Sequence, residues 1–392
     1  MAGSTFAEVS LGDIADFRNG KAVSPERYPP AGRHPVFGSN GQIARSDDVL
    51  NPQPVIVIGR VGAYCGCVHY VPRASWVTDN AIVALPKDGN DLRYLFYLLG
   101  SLGLQRTAIG SAQPLMTQGG LKVVRTKAPP LAEQKAIAAV LGSLDDKIEL
   151  NRRMNATLEA MARALFQSWF VDFDPVRAKR EGRQPTGLDA ETAALFPAAF
   201  QDSPLGNIPQ GWEVKPLGQV IELAYGKPLK AEDRKSGPFR VYGSNGPVGW
   251  HDEKLVSGPG IVVGRKGNPG VVTWAPGDFF PIDTTFYVLP IGDCRSLYFL
   301  YYALSNHSLA NLSADSAVPG LNRNHAYMSE QVIPPESVLE VFDSRISPIF
   351  AAIHANEQQS RTLATLRDTL LPKLLSGELR VPAAAKLMEV RQ

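Results

Sequence analysis

Polar side chains suited to contacting nucleic acid stand between glycines in four short segments of the chain. Gly-Ser-Asn-Gly occurs at 38–41 and 243–246, and Gly-Arg-x-Gly occurs at 59–62 and 264–267. Glycine-bounded pairs of this kind are typical of tight turns, which hold side chains on an exposed backbone. Arginine and asparagine can make paired hydrogen bonds to guanine and adenine edges, while lysine and serine can hold phosphates. With the lysines that follow Gly20 and Gly226, the candidate contact residues are Lys21, Ser39, Asn40, Arg60, Lys227, Ser244, Asn245, Arg265 and Lys266.

Motifs of the common nucleotide-handling enzymes are missing from the sequence. There is no Gly-x-x-x-x-Gly-Lys-Ser/Thr, and the glycines of 59–62 and 264–267 lack the spacing of a dinucleotide fingerprint. The Asn/Asp-Pro-Pro-aromatic motif of amino-methyltransferases is absent, and no Pro-Asp dipeptide opens a nuclease carboxylate motif. The six histidines and the three cysteines (Cys65, Cys67 and Cys294) lack the spacing of metal ligands. We therefore predict no catalytic residue, no metal site and no cofactor in this chain.

The glycine-bounded segments belong to a longer internal repeat with a constant order and an offset of 204–206 residues. Leu85-Pro86 recurs as Leu289-Pro290, and Pro129-Pro130 recurs as Pro334-Pro335. Solenoid repeats are about 20–50 residues long, so this repeat indicates duplication of a whole unit. One alternative is that the four segments are plain hairpin turns, repeated only because the fold was duplicated.

Each copy begins with a strand-rich part. Short apolar runs between Gly, Pro, Asn and Asp are typical of strands, and one longer apolar and aromatic stretch in each copy predicts a helix. The predicted strands include 55–58, 81–85, 261–263 and 285–289, and the predicted helices are 92–102 and 297–304.

Each copy then continues, after Pro-Pro, as a long amphipathic helix of about 60 Å. Apolar residues recur at spacings of 3, 4 and 7, and in heptad register Asn151 and Asn356 take the same seam position. A polar Asn within an apolar seam costs stability and fixes register. We therefore predict that two antiparallel helices share a seam containing both residues; alternatively, each Asn lies near the solvent edge. Pro348 and Pro372 predict a kink or an interruption in the second helix.

These patterns predict an α+β fold in which two strand-rich domains are separated by two long antiparallel helices, with internal pseudo-twofold duplication. The segment between the copies is rich in Gly, Pro, Asp and Ala, which is typical of a connection with one short helix at most. The predicted limits are 1–131 for the first strand-rich domain, 132–172 for the first helix, 173–210 for the linker, 211–335 for the second strand-rich domain, 336–378 for the second helix and 379–392 for a tail.

Length, charge and composition limit the classes of protein that fit this interpretation. The 392 residues exceed what one core usually organises, and the net charge of +2 divides into +4 for residues 1–128 and −2 for the rest. Any basic surface that binds nucleic acid is therefore confined to part of the chain. No apolar run approaches the roughly 20 residues of a membrane span, and the three cysteines cannot form a disulfide framework. We predict a cytoplasmic protein with no membrane partner.

The combination resembles the specificity subunit of type I restriction-modification systems. Residues 131–137 and 144–151 look like the central conserved region of that family, and residues 370–379 are similar to its C-terminal one. Residues 37–41 and 208–212 also look like recurrent family segments, so the resemblance covers nearly the whole chain. The second copy departs from it, because Glu336-Ser337-Val338-Leu339-Glu340 lacks the Glu-Gln-x-x-Ile of 133–137, which puts equal partner contacts by both helices in doubt.

The resemblance implies a non-catalytic subunit whose two strand-rich parts are target-recognition domains for a bipartite, asymmetric site in double-stranded DNA. It further implies docking of two methyltransferase subunits and, in the full complex, of restriction subunits. S-adenosylmethionine, ATP and magnesium ion would belong to those partners. Around the apolar stripe of the first long helix, the exposed residues expected to contact a partner are Glu133, Gln134, Lys147 and Arg153.

Two other interpretations remain open from the residues alone. A tandem protein-interaction scaffold that does not bind DNA would explain the long helices but not the Arg, Asn and Lys loops. A small-ligand enzyme with its site between the two strand-rich parts is disfavoured by the lack of any acid-base or metal cluster.

Overall fold

The computed structural model describes residues 6–24, 26, 28–29, 31–110, 114–314 and 320–382. The chain divides into two compact units: unit 1 comprises Met1–Leu150 with Gln359–Gln392, and unit 2 comprises Asn151–Gln358. The limits of the units fall within the two long helices rather than at their ends, so each unit contains part of both helices. Residues 1–5 of the first predicted domain and residues 383–392 of the predicted tail lie outside the described residues.

Unit 1 is built from short strands, three short helices and one end of each long helix. Its strands are β1 (Ala7–Ser10), β2 (Ala15–Asn19), β3 (His34–Gly38), β4 (Gly41–Ser46), β5 (Val55–Gly59), β6 (Val68–Val71), β7 (Trp76–Val77), β8 (Ala81–Pro86) and β9 (Arg125–Ala128). Its short helices are α1 (Leu11–Ile14), α2 (Leu92–Ser101) and α3 (Gln118–Lys122), and the first long helix, α4 (Leu131–Phe170), begins here.

Unit 2 contains the corresponding elements of the second copy. Its strands are β10 (Phe200–Gln201), β11 (Ile208–Pro209), β12 (Glu213–Pro216), β13 (Ile221–Tyr225), β14 (Phe239–Gly243), β15 (Gly246–His251), β16 (Gly260–Gly264), β17 (Val272–Ala275), β18 (Phe279–Pro281), β19 (Thr285–Pro290), β20 (Ser313–Ala314), β21 (Gly320–Leu321) and β22 (Glu330–Ile333). Its short helices are α5 (Asp174–Arg180), α6 (Ala190–Ala194), α7 (Leu297–Asn306) and α8 (Arg323–Met328), and the second long helix is α9 (Glu336–Ser376).

Three sheets of unit 1 recur with the same topology in unit 2. In unit 1 the described strands form sheets of order β2-β8-β5-β6, β4-β3-β7 and β1-β9. Unit 2 repeats this pattern as β13-β19-β16-β17, β15-β14-β18 and β12-β22. The predicted strands at 55–58, 81–85, 261–263 and 285–289 fall within β5, β8, β16 and β19. The α+β class and the internal duplication are thereby confirmed.

A separate apolar core organises each unit. In unit 1 the inward faces of β2, β5 and β8 pack against α2 and against the apolar stripes of α4 and α9, with Leu141 and Leu374 fully buried. In unit 2 the core is rich in aromatic residues, and Phe342 of α9 lies with its ring centroid 4.9 Å from that of Phe170 and 6.0 Å from that of Trp169. Edge-to-face packing of this kind stabilises the pair of rings beyond the burial of their area.

The segment between the copies differs from its prediction. It was expected to contain one short helix at most, but the described residues 173–210 contain α5 and α6 and the strand pair β10–β11. Its aromatic side chains enter the core of unit 2, where Phe196 lies 5.1 Å from Trp169 and Phe173 lies 5.7 Å from Trp212 between ring centroids. Burial of these rings orders the segment despite its Gly and Pro content.

The two long helices pack antiparallel, as predicted. In unit 2 the Asn151 side chain donates to the Asn356 carbonyl (3.3 Å), and the Asn356 side chain donates to Oδ1 of Asn155 (2.8 Å). Asn155 in turn donates to the Ile353 carbonyl (3.3 Å), so residue numbers rise along α4 as they fall along α9. Asn151 is fully buried and Asn356 is half-buried, which confirms that both residues lie on the shared seam.

The predicted interruption of the second long helix does not occur. The α9 helix continues from Glu336 to Ser376 through both Pro348 and Pro372. A proline removes the hydrogen bond to the carbonyl four residues earlier, here that of Ser344 or Asp368. All four of these residues are exposed, so water can solvate the two carbonyls that lose their partner.

In unit 1, acidic residues of α4 form ionic contacts with α9 and with α2. The contact with α9 is not repeated at the corresponding residue of the second copy. Asp145 of α4 accepts hydrogen bonds from Arg367 Nη1 (2.6 Å) and from the Tyr97 hydroxyl (2.5 Å). Asp146 pairs with both terminal nitrogens of Arg93 (2.9 and 2.7 Å), which lowers the pKa of that carboxyl. In unit 2 the residue that corresponds to Asp145 is Phe350, which packs on Trp274.

Candidate nucleic-acid interface

The Gly-Ser-Asn-Gly segments are two-residue hairpin turns. In unit 1 Ser39 and Asn40 connect β3 to β4, with Gly38 paired to Gly41. Gly41 has φ +89° and its counterpart Gly246 has φ +102°, a left-handed backbone that favours glycine. Both hairpins contain a β-bulge immediately before the turn, between Val36 and Phe37 in unit 1 and between Val241 and Tyr242 in unit 2. The two turns are therefore the same local structure.

The Gly-Arg-x-Gly segments lie directly against these turns. A Cβ atom on Gly59 would be 2.7 Å from the Ser39 carbonyl oxygen, and one on Gly264 would be 2.6 Å from that of Ser244. In unit 1 the Ser39 hydroxyl accepts hydrogen bonds from the backbone N–H of Arg60 (3.3 Å) and of Val61 (3.2 Å). Glycine at the end of β5 and β16 thus permits the arginine loop and the Ser-Asn turn to touch.

The two arginines are held in the same way. Arg60 Nη1 donates to the Asp79 carbonyl (3.0 Å), and Arg265 Nη1 donates to the Asp283 carbonyl (3.0 Å). A guanidinium has five N–H donors in a planar fork, so this one bond anchors the group and uses only one of them. Both side chains are half-buried, which leaves part of each fork accessible.

The predicted lysines lie at the same edge of the sheet. The backbone N–H of Lys21 donates to the Val77 carbonyl (2.9 Å), and that of Lys227 donates to the Pro281 carbonyl (3.1 Å). Lys21 follows β2, whose end pairs with the start of β8, and Lys227 follows β13, whose end pairs with the start of β19. Each lysine therefore lies next to the arginine loop of its unit. Lys21, Asn40, Lys227, Asn245 and Lys266 are exposed, and Ser39 and Ser244 are half-buried. In each unit the structure therefore brings the predicted residues together.

A histidine lies beneath the turn of unit 1 but adds no charge to it at neutral pH. A Cβ atom on Gly41 would be 3.3 Å from Cε1 of His69. Burial lowers the pKa of His69, because desolvation disfavours the protonated ring. The positive charge at this edge of unit 1 therefore comes from Lys21 and Arg60.

Sequence reasoning missed two residues at the corresponding edge of unit 2. Arg323, at the start of α8, places its guanidinium carbon 5.0 Å from the ring centroid of Tyr225, at the end of β13. Arg265 lies 4.8 Å from the same centroid. The repeat offset aligns Arg323 with Gln118 and Tyr225 with Asn19, so the alignment of the copies could have drawn attention to both positions.

The four residues predicted to contact a partner differ in how far their side chains are exposed. The predicted exposure of Gln134 is wrong: it is 2% exposed, its Oε1 accepts from the Asp91 N–H (2.9 Å), and its Nε2 donates to Asn90 Oδ1 and the Pro129 carbonyl (both 2.9 Å). The Glu133 side chain is 19% exposed and accepts from Arg380 Nη1 (2.5 and 2.7 Å), so it too is largely covered. Lys147 is half-buried and Arg153 is exposed.

The described part of the chain contains neither a metal-binding cluster nor a helix that could span a membrane. No group of three or more His, Cys, Asp and Glu side chains is placed to hold a metal ion. No helix there combines the length and the apolar character that crossing a bilayer requires.

Comparison with known proteins identifies the first copy. Residues 3–160 match the family described as the type I restriction modification DNA specificity domain. This segment is similar to members of that family. The curated HindI specificity subunit of Haemophilus influenzae is 28% identical over 332 residues, covering 68% of this chain and 71% of the relative. The MjaIX specificity subunit of Methanocaldococcus jannaschii is also 28% identical, over 76% of this chain and 71% of the relative.

The specificity-subunit fold extends over the whole chain. The crystal structure of the type I restriction-modification S subunit from M. genitalium superimposes with a TM-score of 0.68 at 18% identity, covering 96% of this chain and 97% of that one. At this identity the match shows the fold alone. Together with the sequence relatives, it confirms the resemblance to specificity subunits that the repeated segments and the long helices indicated.

Proposed function

We propose that this chain is the DNA-recognition subunit of a type I restriction-modification complex, and that each unit contacts one half of a bipartite, asymmetric site in double-stranded DNA. The observation that carries the proposal is the convergence, in both units, of an anchored arginine, a Ser-Asn turn and a lysine at one edge of a four-stranded sheet. Arginine and asparagine supply base-edge contacts there, while lysine and serine supply phosphate contacts. Because unit 2 has Lys266 where unit 1 has Val61, the two half-sites are expected to differ.

Chemistry in such a complex would be carried out by other subunits. We expect no methyl transfer, phosphodiester cleavage or ATP hydrolysis by this chain, because its sequence lacks the motifs of the common nucleotide-handling enzymes. Methyltransferase partners would hold S-adenosylmethionine, and restriction partners would hold ATP and magnesium ion. An adenine that is to be methylated must leave the base stack, so the role of this chain is to position the partner over the target base. The cytoplasmic location stays a prediction.

Reconstitution tests the function. The purified chain is expected to transfer no methyl group from S-adenosylmethionine to DNA, whereas the chain assembled with its methyltransferase subunit is expected to modify adenines at one split sequence. Sequencing of modified adenines in host DNA reads out that sequence directly. Methyl transfer by the chain alone above a no-protein control, or an assembled complex that modifies no split sequence, would contradict the proposal. The scaffold alternative predicts partner binding without any DNA preference.

We propose that the methyltransferase docks on an exposed apolar row of α4 within unit 2. Met154 and Met161 are 40% and 55% exposed and lie seven residues apart, which places them on one face of the helix beside the exposed Arg153. Exposed methionines form adaptable surfaces for partner proteins. We propose this face as the docking contact in place of Gln134, whose side chain is hydrogen-bonded inside unit 1.

Charge insertion tests the docking face. Met161→Glu places a carboxylate in the proposed contact and is expected to reduce capture of the methyltransferase subunit by at least tenfold in a pull-down. Ala156→Glu adds the same charge at an exposed position on another face of α4 and is expected to leave capture unchanged. Equal capture by the Met161→Glu variant and the unaltered chain would exclude this face.

A further inference from the structure

We propose that Arg323 is a second specificity-determining residue of unit 2, which reads a guanine edge next to the contact made by Arg265 and is held for that task by the Tyr225 ring. The inference rests on the proposed function and names a residue outside the glycine-bounded loops. Its basis is an array of two guanidiniums and three aromatic rings at one edge of the sheet.

Stacking fixes both guanidiniums of the array. The guanidinium carbon of Arg265 is 4.8 Å from the ring centroid of Tyr225 and 5.8 Å from that of Phe286. That of Arg323 is 5.0 Å from the Tyr225 centroid and 5.7 Å from that of Tyr327. The rings are themselves fixed, since the Tyr225 and Phe286 centroids are 5.0 Å apart and the Tyr327 hydroxyl accepts from the Leu223 N–H (2.8 Å). The array therefore holds its shape without a ligand.

Stacking also determines which part of each arginine remains available. A ring beside the guanidinium carbon covers one side of the group, and the five N–H donors of the planar fork leave others for a ligand. A planar fork with free edge donors is the geometry that pairs with O6 and N7 of guanine in the major groove. Tyr225 is 49% exposed, so the array lies at the surface where a duplex can reach it.

The charge of the array is not cancelled within the described structure. No carboxylate of the described residues lies within ion-pairing distance of Arg265 or Arg323, although described carboxylates pair with arginines elsewhere in the unit, as Glu357 does with Arg240 at 3.2 Å. Two neighbouring cations without a counter-charge repel each other, and acceptor-rich ligands relieve that repulsion. The array is thus suited to two adjacent acceptors, such as those of one guanine or of two stacked bases.

The backbone connects the array to the arginine loop. The Leu321 N–H donates to the Arg265 carbonyl (2.9 Å), and Lys266 forms an isolated bridge with Gly320. Asn322 then caps α8 by accepting from the N–H groups of Asn324 and His325. Arg323 is therefore positioned by the same strand that lines the loop of Arg265.

Unit 1 has the same framework without the charge. The Met116 N–H donates to the Arg60 carbonyl (2.8 Å), and Thr117 caps α3, whose first residue is Gln118. Gln118 and Asn19 occupy the positions of Arg323 and Tyr225. With its amide oriented to satisfy both groups, Gln118 bonds the Phe17 carbonyl and the Asn19 N–H of its own unit. The extra contact is thus specific to unit 2 and its half-site.

Side-chain replacement in the assembled methyltransferase complex tests the inference. Arg323→Gln introduces the residue of unit 1 and is expected to relax one guanine position in one half-site, so that discrimination at that position falls by roughly 5- to 150-fold while the other half-site is unchanged. Arg323→Lys keeps the charge but lacks the planar fork, so it should relax the same position. The readouts are the modified-adenine motif and competition binding with DNA altered at single positions.

Two further variants test the role of the ring. Tyr225→Phe retains the stacking face and is expected to match the unaltered chain, whereas Tyr225→Leu removes it and should relax the positions of both arginines. Arg295→Ala removes an exposed charge beyond Pro290, at the opposite end of β19 from Arg265, and is expected to leave the motif unchanged.

Other outcomes separate failure of this inference from failure of the proposed function. If the unaltered complex recognises a split sequence but Arg323→Gln leaves every position unchanged, the inference is overturned and the function stands. If Arg323→Lys restores normal recognition, or if Arg323→Gln weakens all sequences alike and lowers the salt dependence of binding, Arg323 holds a phosphate and the inference is wrong. If the unaltered complex recognises no split sequence, the proposed function itself fails.

Discussion

Arg60→Ala is expected to relax recognition in one half of the DNA site, and Arg265→Ala in the other half, at a cost of about 1–3 kcal/mol per lost base contact. Each guanidinium is anchored to a backbone carbonyl by one nitrogen, at 3.0 Å, and has further N–H donors with which to bind a ligand. Removing the side chain therefore removes the directed contact without disturbing the turn. Binding of the assembled complex to DNA altered in one half-site at a time measures the effect.

Matched controls exist in both units. Arg73 is exposed beyond β6, at the end of the β5–β6 pair opposite Arg60, and Arg295 is exposed beyond Pro290, at the end of β19 opposite Arg265. Arg73→Ala and Arg295→Ala remove the same charge and should leave the recognised sequence unchanged. If Arg60→Ala and Arg265→Ala both affected the same half-site, or neither affected any, the assignment of one reader to each unit would have to be abandoned.

Phe342→Ala is expected to destabilise unit 2 by about 3–5 kcal/mol, the range for deleting a buried aromatic ring. Phe342 is fully buried and contacts the rings of Phe166, Trp169 and Phe170, so its removal leaves a cavity where α9 meets α4. Chemical denaturation of the full chain, followed by tryptophan fluorescence, measures the change, because Trp169 and Trp212 both lie in this core.

A half-buried apolar residue of the same helix provides the comparison. Val341→Ala shortens a half-buried side chain next to Phe342 and should cost well under half as much, because less surface leaves contact. Equal losses for Val341→Ala and Phe342→Ala would show that the aromatic cluster does not hold the helices together.

Much of the fold followed from local patterns. The strands at the sheet centres are short apolar runs bounded by turn residues, and the seam of α4 and α9 follows from heptad spacing. Burial of Gln134 was also accessible, because it precedes Ile137 by three residues and Leu141 by seven and so lies on the buried stripe. Its polar amide suggested exposure, but the N–H of Asp91 and the carbonyl of Pro129 satisfy that amide inside the protein.

Other features depend on residues far apart in the chain. The order of the segment 173–210 arises from contacts of Phe196 with Trp169 and of Phe173 with Trp212, which composition does not reveal. The contact of Arg323 with Tyr225 joins positions 98 residues apart in the numbering of the sequence. Spacing rules describe neighbours along one helix or strand, so they cannot predict such pairs.

The composition of unit 1 has a consequence for the order of folding during synthesis. Its core contains Leu11 and Ile137 from early in the chain, but also Leu366, Leu370 and Leu374 from the end of α9. The segment Asn151–Gln358, which forms unit 2, is synthesised before those leucines. Domains tend to fold as their residues emerge, and unfinished cores expose apolar surface. The first part of the chain to be translated is therefore the last to be completed, and the apolar stripe of α4 with Ile137 and Leu141 lacks its α9 partner throughout the synthesis of unit 2.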